Sequence, residues 1–260
     1  MLEIQNITIS YQNRPTVKNF SMTLRPGEIA SLVGESGSGK TTVIRAVLGL
    51  LAGGGKVTAG DILFAGKSLL QNTPGQWRRL RGSEISMIFQ DSGAMLNPTR
   101  KIGDVFVEYI RTHERMSRAE AWKRGTAMLS RMRLPDGGNI MSSYPFQLSG
   151  GMRQRVGIAM AMTFQPRLLL ADEPTSALDV TTQAQIVRQM MELRDEYGTG
   201  IIIVTHNLGV AAYMSDQIVV MKDGEICDCG SRDDILNGTH SAYTQNLLDA
   251  VPTLGGVRYV

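Results

Sequence analysis

The stretch at residues 34–41, which reads GESGSGKT, constrains the fold of this chain more than any other. The residues before it, 28–33, end in an apolar run that predicts a buried strand, and residues 42–51 carry apolar side chains at helical spacing. Gly34, Gly37 and Gly39 permit backbone angles at which successive N–H groups turn toward an anion at the N-terminus of a helix. A loop of this pattern between a strand and a helix predicts a phosphate-binding site.

Two further side chains of this loop suit a nucleoside triphosphate. Lys40 is placed to reach the β- and γ-phosphates, and the hydroxyl of Thr41 is an oxygen ligand for Mg²⁺. The other residues predicted to bind ATP here are Glu35, Ser36, Ser38 and Thr42. The alternative is a Gly/Ser-rich turn that merely precedes a helix. The lysine, the threonine and the flanking strand and helix favour the phosphate site.

The composition is that of an ordinary globular protein, with 42% apolar and 20% charged residues. The 27 basic and 24 acidic side chains give a formal net charge of +3, which does not require a nucleic-acid partner. No run approaches the roughly 18 consecutive apolar residues of a membrane-spanning helix. The first residues also lack the basic and apolar pattern of a secretion signal, so we expect the chain itself to stay in the cytoplasm.

The cysteines of the chain are Cys227 and Cys229. If that segment is a strand, we expect the two side chains to point to opposite faces, where they do not ligate one metal together. A reduced, structural pair is therefore the expectation, consistent with a cytosolic protein.

The N-terminal residues 1–24 alternate between apolar and polar, which predicts two or three strands that turn at residues 12–15. These strands are expected to form an antiparallel sheet beside the phosphate loop. Tyr11 falls in the predicted turn. Its ring is either a stacking surface for adenine or simply half-buried, and the local sequence does not decide between the two.

A short apolar strand is predicted at residues 85–89, and Gln90 follows it. A glutamine there either bridges Mg²⁺ and the attacking water or caps the strand. From residue 91 to residue 144 the apolar side chains recur at helical spacing, which predicts a helical subdomain inserted into an α/β core. This insert is either a docking surface or a small satellite core.

A second candidate anion site follows the insert. Ser149, Gly150 and Gly151 stand before a helical run at residues 156–164, and a helix N-terminus opened by these residues suits an anion although it has no lysine. This site lies far along the chain from the first phosphate loop. The sequence therefore raises the question of whose phosphate it binds.

Two acids end an apolar strand predicted at residues 168–171. The carboxyl ends of strands are where open parallel sheets bind ligands. Asp172 suits Mg²⁺, either directly or through water, and Glu173 suits a base that activates or orients water for attack on the γ-phosphate. A pair of acids that merely begins a loop is the alternative.

The remaining segments continue the α/β pattern. His206 stands at the end of a predicted buried strand and is placed to sense a γ-phosphate, although a lone histidine is usually structural. The other predicted elements are helices at 181–197 and 210–214, strands at 201–205, 217–221 and 225–229, a hairpin turn at Asp223-Gly224, and a short helical appendage at 233–252.

In this order, the motifs resemble those of the ATP-binding subunits of ABC transporters over essentially the full length of the chain. The positions that carry the resemblance are Tyr11, residues 34–41, Gln90, LSGGM at 148–152, LLLADE at 168–173, SALD at 176–179 and His206. The resemblance implies that Tyr11 stacks on adenine, that Mg²⁺ is held by Thr41, Gln90 and Asp172, and that His206 contacts the γ-phosphate.

The fold implied by the resemblance is α/β, a P-loop NTPase core with a mostly parallel sheet, an N-terminal antiparallel β subdomain and an inserted helical subdomain. A single ABC ATPase domain is expected over residues 1–260. Its core takes up residues 1–90 and 145–232, the helical insert residues 91–144, and a short C-terminal appendage residues 233–260.

Within the family, several strings resemble the oligopeptide, dipeptide and nickel importer branch. They are FQD at 89–91 with LNP at 96–98, YPFQLSGGMRQR at 144–155, and AYT at 242–244 with LL at 247–248 and AVP at 250–252. Met152 departs from the glutamine that is commonest in the family and is usual in this branch. The chain lacks the cysteine-containing tail of many peptide-importing members, which favours a short nickel or metallophore type of subunit.

The resemblance also implies partners and a location. Two ATPase subunits meet head to tail, with Ser149, Gly150 and Gly151 of each facing the ATP held by the other, and a heterodimer is favoured over a homodimer. The dimer drives integral membrane permease subunits from the cytoplasmic face of the membrane, and an extracellular or periplasmic solute-binding protein acts indirectly. No nucleic acid is expected.

Two other functions remain as alternatives. A non-transport ABC ATPase that acts on nucleic acid or ribosomes typically has two ATPase units or a long coiled coil between the motifs, and neither is present here. A small-molecule kinase would use the same phosphate loop and would need a pocket for the phosphate acceptor. It would give no function to residues 149–151.

Overall fold

The computed structural model describes residues 1–90, 93, 95–176, 178–238 and 240–250, and the backbone alone of residues 253–254 and 257–258. The chain forms two compact units. The first unit consists of Met1–Trp77 and Gly200–Val260, and the second unit consists of Arg78–Thr199.

The secondary-structure elements are numbered in chain order. The strands are β1 (Leu2–Tyr11), β2 (Arg14–Leu24), β3 (Ile29–Val33), β4 (Lys56–Phe64), β5 (Lys67–Ser68), β6 (Ile85–Ile88), β7 (Leu168–Asp172), β8 (Gly200–Thr205), β9 (Gln217–Lys222), β10 (Glu225–Ser231), β11 (Thr253–Leu254) and β12 (Val257–Arg258). The helices are α1 (Lys40–Val47), α2 (Pro74–Leu80), α3 (Ile102–His113), α4 (Arg118–Arg131), α5 (Gly137–Ser142), α6 (Gly150–Met162), α7 (Val180–Tyr197), α8 (Leu208–Met214), α9 (Arg232–Asn237) and α10 (Ala242–Asp249).

An antiparallel sheet in the first unit has the strand order β2, β1, β4, β5. Residues 1–24 were predicted to form two or three strands, and they form two, β1 and β2. Their turn is shorter than predicted, because Arg14 and Pro15 already belong to β2. The hairpin turns at Gln12 and Asn13, whose φ values of 49° and 62° match the two-residue turns that suit twisted antiparallel strands.

A second set of strands in the first unit supports the phosphate loop. β3 pairs in parallel with β8 on one side and with β9 on the other. Every residue of β3 and β8 is buried, which explains why both read as uninterrupted apolar runs rather than as alternating ones. Because β3 is a central strand, the loop that follows Val33 leaves from a rigid point of the unit.

The hairpin between β9 and β10 confirms the turn predicted at Asp223-Gly224. Both residues have positive φ, 50° and 83°, and the strands that they join pair antiparallel. Gly224 lies close to β2, since a Cβ at this position would be 2.1 Å from the main-chain oxygen of Thr16.

The expectation that the two cysteines point to opposite faces is wrong. Residues two apart on a strand share a face, and Cys227 and Cys229 are both exposed on β10, in an alternating pattern that leaves Ile226 and Asp228 partly buried. Both thiols are free. Burial first, together with the charge of Asp228, raises the pKa of Cys227, so the thiol form is favoured over the reactive thiolate.

The second unit contains β6 and β7, which pair in parallel with Ile85 opposite Leu168. The predicted helical segment is present as α3, α4 and α5, and α4 begins with a capping box between Ser117 and Glu120. Fully buried side chains of these three helices include Phe106, Leu129 and Met141, and the helices pack against one another, with α4 also against α6. Residues 91, 92 and 94, at its predicted start, lie outside the described residues.

Several element boundaries differ from prediction. α1 begins at Lys40, within the phosphate-loop motif, and ends at Val47 instead of residue 51, because the left-handed Gly49 (φ 62°) stops the helix. The C-terminal appendage is helical as predicted but consists of α9 and α10. Its predicted last residues, 251–252, lie outside the described residues, as does Ala177 of the SALD motif. Within the described part of the chain, no helix is both long enough and apolar enough to cross a bilayer.

Candidate functional site

The loop between β3 and α1 has the backbone geometry of an anion cradle. Gly34, Gly37 and Gly39 have φ values of 150°, 86° and 99°, and Gly39 is the N-cap of α1. These conformations are costly for residues with a side chain. Gly39 also lies against Val17 of β2, since a Cβ would be 2.8 Å from a methyl carbon of Val17. The first strands therefore border the loop, as the sequence predicted.

Lys40 is folded back over this loop. Lys40 is only 5% exposed. Its Nζ donates hydrogen bonds to the main-chain oxygens of Gly34 and Glu35, each at 2.6 Å, and to Oγ of Ser38 at 3.2 Å. The ammonium is thus held at the loop itself, next to the N-terminus of α1. A positive charge and a helix N-terminus at one place fit a phosphate group.

We expect that Gly34→Ala destabilises the chain strongly. A Cβ at this position would lie 2.1 Å from the main-chain oxygen of Met221, so backbone must move, and we expect the free energy of unfolding to fall by about 3 kcal/mol or more. Gly27→Ala is the matched control. Gly27 also has positive φ (70°) but has open space around its Cβ position, so the expected loss is only about 1–2 kcal/mol. Urea denaturation of both variants measures the difference, and equal losses would contradict the steric argument.

Tyr11 is the last residue of β1 rather than a turn residue, because the two-residue turn begins after it. It is partly buried, and its ring lies against the backbone at Gly55, where a Cβ would be 2.5 Å from the ring. The glycine at position 55 therefore makes room for the ring. The adenine-stacking role of Tyr11 stays a prediction.

His206 directly follows β8, as predicted, and its side chain is exposed. The chain then enters α8, which Asn207 caps by accepting hydrogen bonds from the N–H groups of Gly209 and Val210. The cap fixes the backbone on the C-terminal side of His206, and β8 fixes it on the other. The imidazole is therefore carried on a fixed segment at the carboxyl end of β8.

Asp172 and Glu173 lie at the carboxyl end of β7 in the second unit. Asp172 is the last residue of the strand and is 3% exposed, which is rare for a carboxylate unless it has partners. Glu173 is partly exposed and has φ of 44°, a conformation that costs a residue with a side chain about 1 kcal/mol or more. Strain of this kind clusters at functional sites.

The structure brings Gln90 and Glu173 together. Nε2 of Gln90 donates to Oε2 of Glu173 at 3.2 Å, although the two residues are 83 positions apart in the sequence. The amide orients one carboxylate oxygen. Glu173 also accepts hydrogen bonds at its main-chain oxygen from N–H and Oγ of Ser176, at 3.1 Å and 3.0 Å, which hold the turn that follows.

Gln154 is a site residue that the sequence reasoning missed. It lies on α6, is only 6% exposed, and donates from Nε2 to the main-chain oxygen of Pro174 at 2.6 Å. From α6, it therefore fixes the backbone next to Glu173. The available signal was a glutamine on a helix whose neighbours Val156 and Ile158 are apolar, since such a side chain is buried only with a partner.

Ser149, Gly150 and Gly151 open a helix, as predicted. Ser149 is the N-cap of α6, and its Oγ accepts from N–H of Met152 at 3.3 Å. Gly150 is exposed and begins the helix, and no acidic residue occupies the first turn. The exposed helix start therefore suits an anion, by its dipole and its main-chain donors.

The predicted residues fall into two groups by unit. The phosphate loop at residues 34–42, Tyr11 and His206 belong to the first unit. Gln90, residues 149–151, Asp172 and Glu173 belong to the second unit. Among the described residues, no cluster of three or more His, Cys, Asp or Glu side chains is suited to hold a metal ion by itself. Mg²⁺ ordinarily keeps several waters and is bound through one or two carboxylates together with substrate phosphates, and the hydroxyl, amide and carboxylate oxygens of Thr41, Gln90 and Asp172 are each of a chemical type that suits it.

Comparison with known proteins decides the family. The family model described as ABC transporter matches residues 17–176. This chain belongs to the ABC transporter family. The predicted family is confirmed.

Two relatives of this ABC transporter chain are named as import or transport ATP-binding proteins. The glutathione import ATP-binding protein GsiA of Salmonella choleraesuis (strain SC-B67) is 42% identical over 268 residues, covering 99% of this chain and 43% of GsiA. The dipeptide transport ATP-binding protein DppD of Lactococcus lactis subsp. cremoris (strain MG1363) is 40% identical over 259 residues, covering 98% of this chain and 74% of DppD. The chain therefore spans less than half the length of GsiA and about three quarters of DppD. The resemblance to the oligopeptide and dipeptide branch is confirmed.

Solved structures of the family have the same fold. The ATP-binding cassette MJ0796, in a dimeric post-hydrolysis state bound to ADP and Pi, is 29% identical with a TM-score of 0.79, covering 89% of this chain and 99% of that one. CbiO1 from Clostridium perfringens, part of the ABC transporter complex cbiONQ, is 26% identical with a TM-score of 0.78, covering 90% and 89%. The predicted fold class is confirmed: an α/β fold with mostly parallel strand pairing, an N-terminal antiparallel sheet and a helical insert.

Proposed function

We propose that this chain is an ATP-hydrolysing, nucleotide-binding subunit that powers an ABC importer of peptides, or of nickel or metal-chelate solutes. The observation that carries the proposal is the loop at residues 34–41, with three glycines at positive φ and a lysine held over it. The names of GsiA and DppD favour a peptide-like solute over nickel. Nothing among the described contacts favours a nucleic-acid or ribosome substrate.

ATP binding is assigned mainly to the first unit. Main-chain N–H groups of residues 34–42 bind the phosphates, and Lys40 exchanges some of its present acceptors for β- and γ-phosphate oxygens. A cation that is already buried and oriented loses little further freedom when it binds the ligand. Tyr11 is the proposed surface for adenine.

The hydrolytic step is assigned to Glu173. Its carboxylate accepts a proton from the water that attacks the γ-phosphorus, while Gln90 holds one of its oxygens. Mg²⁺, when bound by oxygens of Thr41, Gln90 and Asp172, neutralises phosphate charge. His206 donates a hydrogen bond to the γ-phosphate.

The partner assignments rest on the exposed start of α6. We assign Ser149, Gly150 and Gly151 to the γ-phosphate of ATP held by a second ABC ATPase subunit, so that ATP joins the two subunits. The related cassette MJ0796 is itself dimeric in its solved structure with ADP and Pi, which supports this arrangement. We propose a heterodimer over a homodimer, bound to membrane permease subunits at the cytoplasmic face, with a solute-binding protein acting on the other side.

The decisive experiment is Mg²⁺-dependent ATP hydrolysis by the full chain, alone and after purification from membranes with its companion subunits. We expect saturable ATP binding by the chain, and hydrolysis that rises when the companions are present. The bound solute of the companion receptor then identifies the cargo. A folded chain with no affinity for ATP would contradict the proposal, and an affinity for nucleic acid that falls steeply with salt would favour the alternative function.

We expect that Gly150→Ala leaves folding intact but lowers ATP hydrolysis by the assembled subunits at least about tenfold, since losing one donor to a reacting anion typically costs more than that. A Cβ at Gly150 would make only an ordinary contact, 3.8 Å from a methyl carbon of Leu178, and alanine stabilises a helix relative to glycine. The methyl group would instead block the approach of a phosphate to the helix start. Thermal unfolding and steady-state phosphate release test this, with Gly75→Ala, on α2 in open space, as control. Normal hydrolysis by folded Gly150→Ala would remove the glycine from the nucleotide site.

A further inference from the structure

The C-terminal appendage reaches the phosphate loop through one hydroxyl group. Oη of Tyr243, on α10, accepts a hydrogen bond of 2.9 Å from the main-chain N–H of Glu35. The two residues are 208 positions apart in the sequence, and both lie in the first unit. Tyr243 belongs to the AYT string at residues 242–244, so this string has a direct contact with the loop.

The start of α10 is anchored firmly enough to hold this tyrosine in place. Asp228 on β10 accepts hydrogen bonds from N–H of Ser241 at 3.2 Å, from Oγ of Ser241 at 2.6 Å, and from Oγ1 of Thr244. Thr244 has no exposed surface. Burial acts to raise the pKa of Asp228, but these hydrogen bonds and the charge of His240 outweigh it and lower the pKa, so the carboxylate stays ionised as their acceptor.

Apolar packing ties the same helix to the strand that leads into the loop. Leu248 is buried with Val33, the residue immediately before Gly34, in a cluster that includes Ile218 and Val220, and Tyr243 packs against this cluster. The ammonium of Lys222 lies 5.0 Å from the centre of the tyrosine ring. The ring is therefore fixed on several sides, and its hydroxyl is presented to the loop at a defined position.

We propose that Tyr243 is a positioning residue for the phosphate loop, so that α10 helps to set the affinity of the chain for ATP. This inference rests on the proposed function. Glu35 begins the exposed part of the loop, where Glu35, Ser36 and Gly37 lie at the surface. Fixing its N–H restricts the loop before the ligand arrives, and restriction in advance lowers the cost of binding. We expect the effect in binding and not in the hydrolytic step, because the hydroxyl contacts the backbone of the loop that is proposed to hold the phosphates.

The test is Tyr243→Phe in the full chain, which removes the hydroxyl and keeps the ring packing. In the nucleotide-free protein we expect hydrogen exchange of the Glu35 amide to accelerate about two- to tenfold, because the loss of one hydrogen bond changes an equilibrium by about that factor. In the assembled ATPase we expect KM for ATP to rise by a similar factor with kcat within about twofold of wild type. Tyr213→Phe is the matched control, since Tyr213 on α8 is 52% exposed, and it should change neither quantity.

The outcomes separate this inference from the function on which it rests. Unchanged Glu35 exchange and unchanged KM in a Tyr243→Phe chain with normal thermal stability would overturn the positioning role. A loss of kcat together with thermal stability would also overturn it, because it would indicate a general structural role. If the wild-type chain does not bind ATP, the proposed function fails, while the exchange of Glu35 still reports whether Tyr243 holds the loop.

Discussion

Glu173→Gln is expected to lower kcat for ATP hydrolysis by about 100-fold or more while ATP still binds, because general base catalysis typically contributes a factor of that order. The substitution keeps the size of the side chain and an oxygen that accepts from Nε2 of Gln90. It also leaves the backbone requirement at position 173 unchanged, since both residues pay a similar cost for φ of 44°. The loss therefore reports the missing carboxylate charge and not a collapse of the turn. Phosphate release under saturating ATP measures kcat, and a fluorescent ATP analogue measures binding.

Glu192→Gln provides the matched control for this variant. Glu192 lies on α7, 44% of its side chain is exposed, and its carboxylate pairs with Arg133 and Arg188. Exposed ion pairs contribute at most about 1 kcal/mol to stability, so this equal change of charge should leave turnover near normal. Because the blocked enzyme retains its ATP, Glu173→Gln is also expected to associate with its partner subunit more readily than wild type. Near-normal turnover by Glu173→Gln would exclude Glu173 as the base.

Lys40→Ala is expected to weaken ATP binding by about 100-fold or more. Hydrogen bonds to charged groups contribute about 1.5–3 kcal/mol each, and the ammonium is proposed to make two with the phosphates. The substitution also removes the hydrogen bonds of 2.6 Å that Nζ of Lys40 donates to the main-chain oxygens of Gly34 and Glu35. We therefore expect the loop to become more mobile. Titration with a fluorescent ATP analogue measures the affinity, and circular dichroism on heating separates loss of binding from loss of fold.

Lys67→Ala is the corresponding control, because Lys67 is exposed on β5. It removes the same charge from the chain without touching the loop, and we expect unchanged affinity. A folded Lys40→Ala chain that binds ATP as tightly as Lys67→Ala would reject the phosphate role of Lys40.

The parts of the site that the sequence predicted well are those encoded locally. The loop at residues 34–41 and the helix start at Ser149 each depend on contiguous residues whose backbone preferences determine the geometry. The buried strands β3, β7 and β8 were also predicted from the sequence, because a strand that is covered on both faces has a continuous run of apolar residues.

The errors and omissions involve contacts between distant residues or details of register. Nothing near Tyr243 indicates that its hydroxyl meets Glu35, and nothing near Gln154 indicates that it holds Pro174. The expectation that Cys227 and Cys229 face opposite sides is wrong because side chains alternate along a strand, so residues two apart share a face. Tyr11 lies on β1 and not in the turn, because the hairpin turn consists of Gln12 and Asn13 alone.

The pairing of β3 has a consequence for how the chain acquires its fold. β3 is followed at once by the phosphate loop, yet both of its neighbours, β8 and β9, come from the last third of the chain. Bringing together strands that are far apart in the sequence costs chain entropy before their contacts form. We therefore expect this topology to fold slowly. During synthesis β3 and the phosphate loop leave the ribosome early. The strands that pair with β3, which are β8 and β9, follow only when residues 200–222 have been made. We therefore expect the phosphate loop to reach its final position only after residues 200–222 have been synthesised, and the unpaired β3 to be open to misfolding until then.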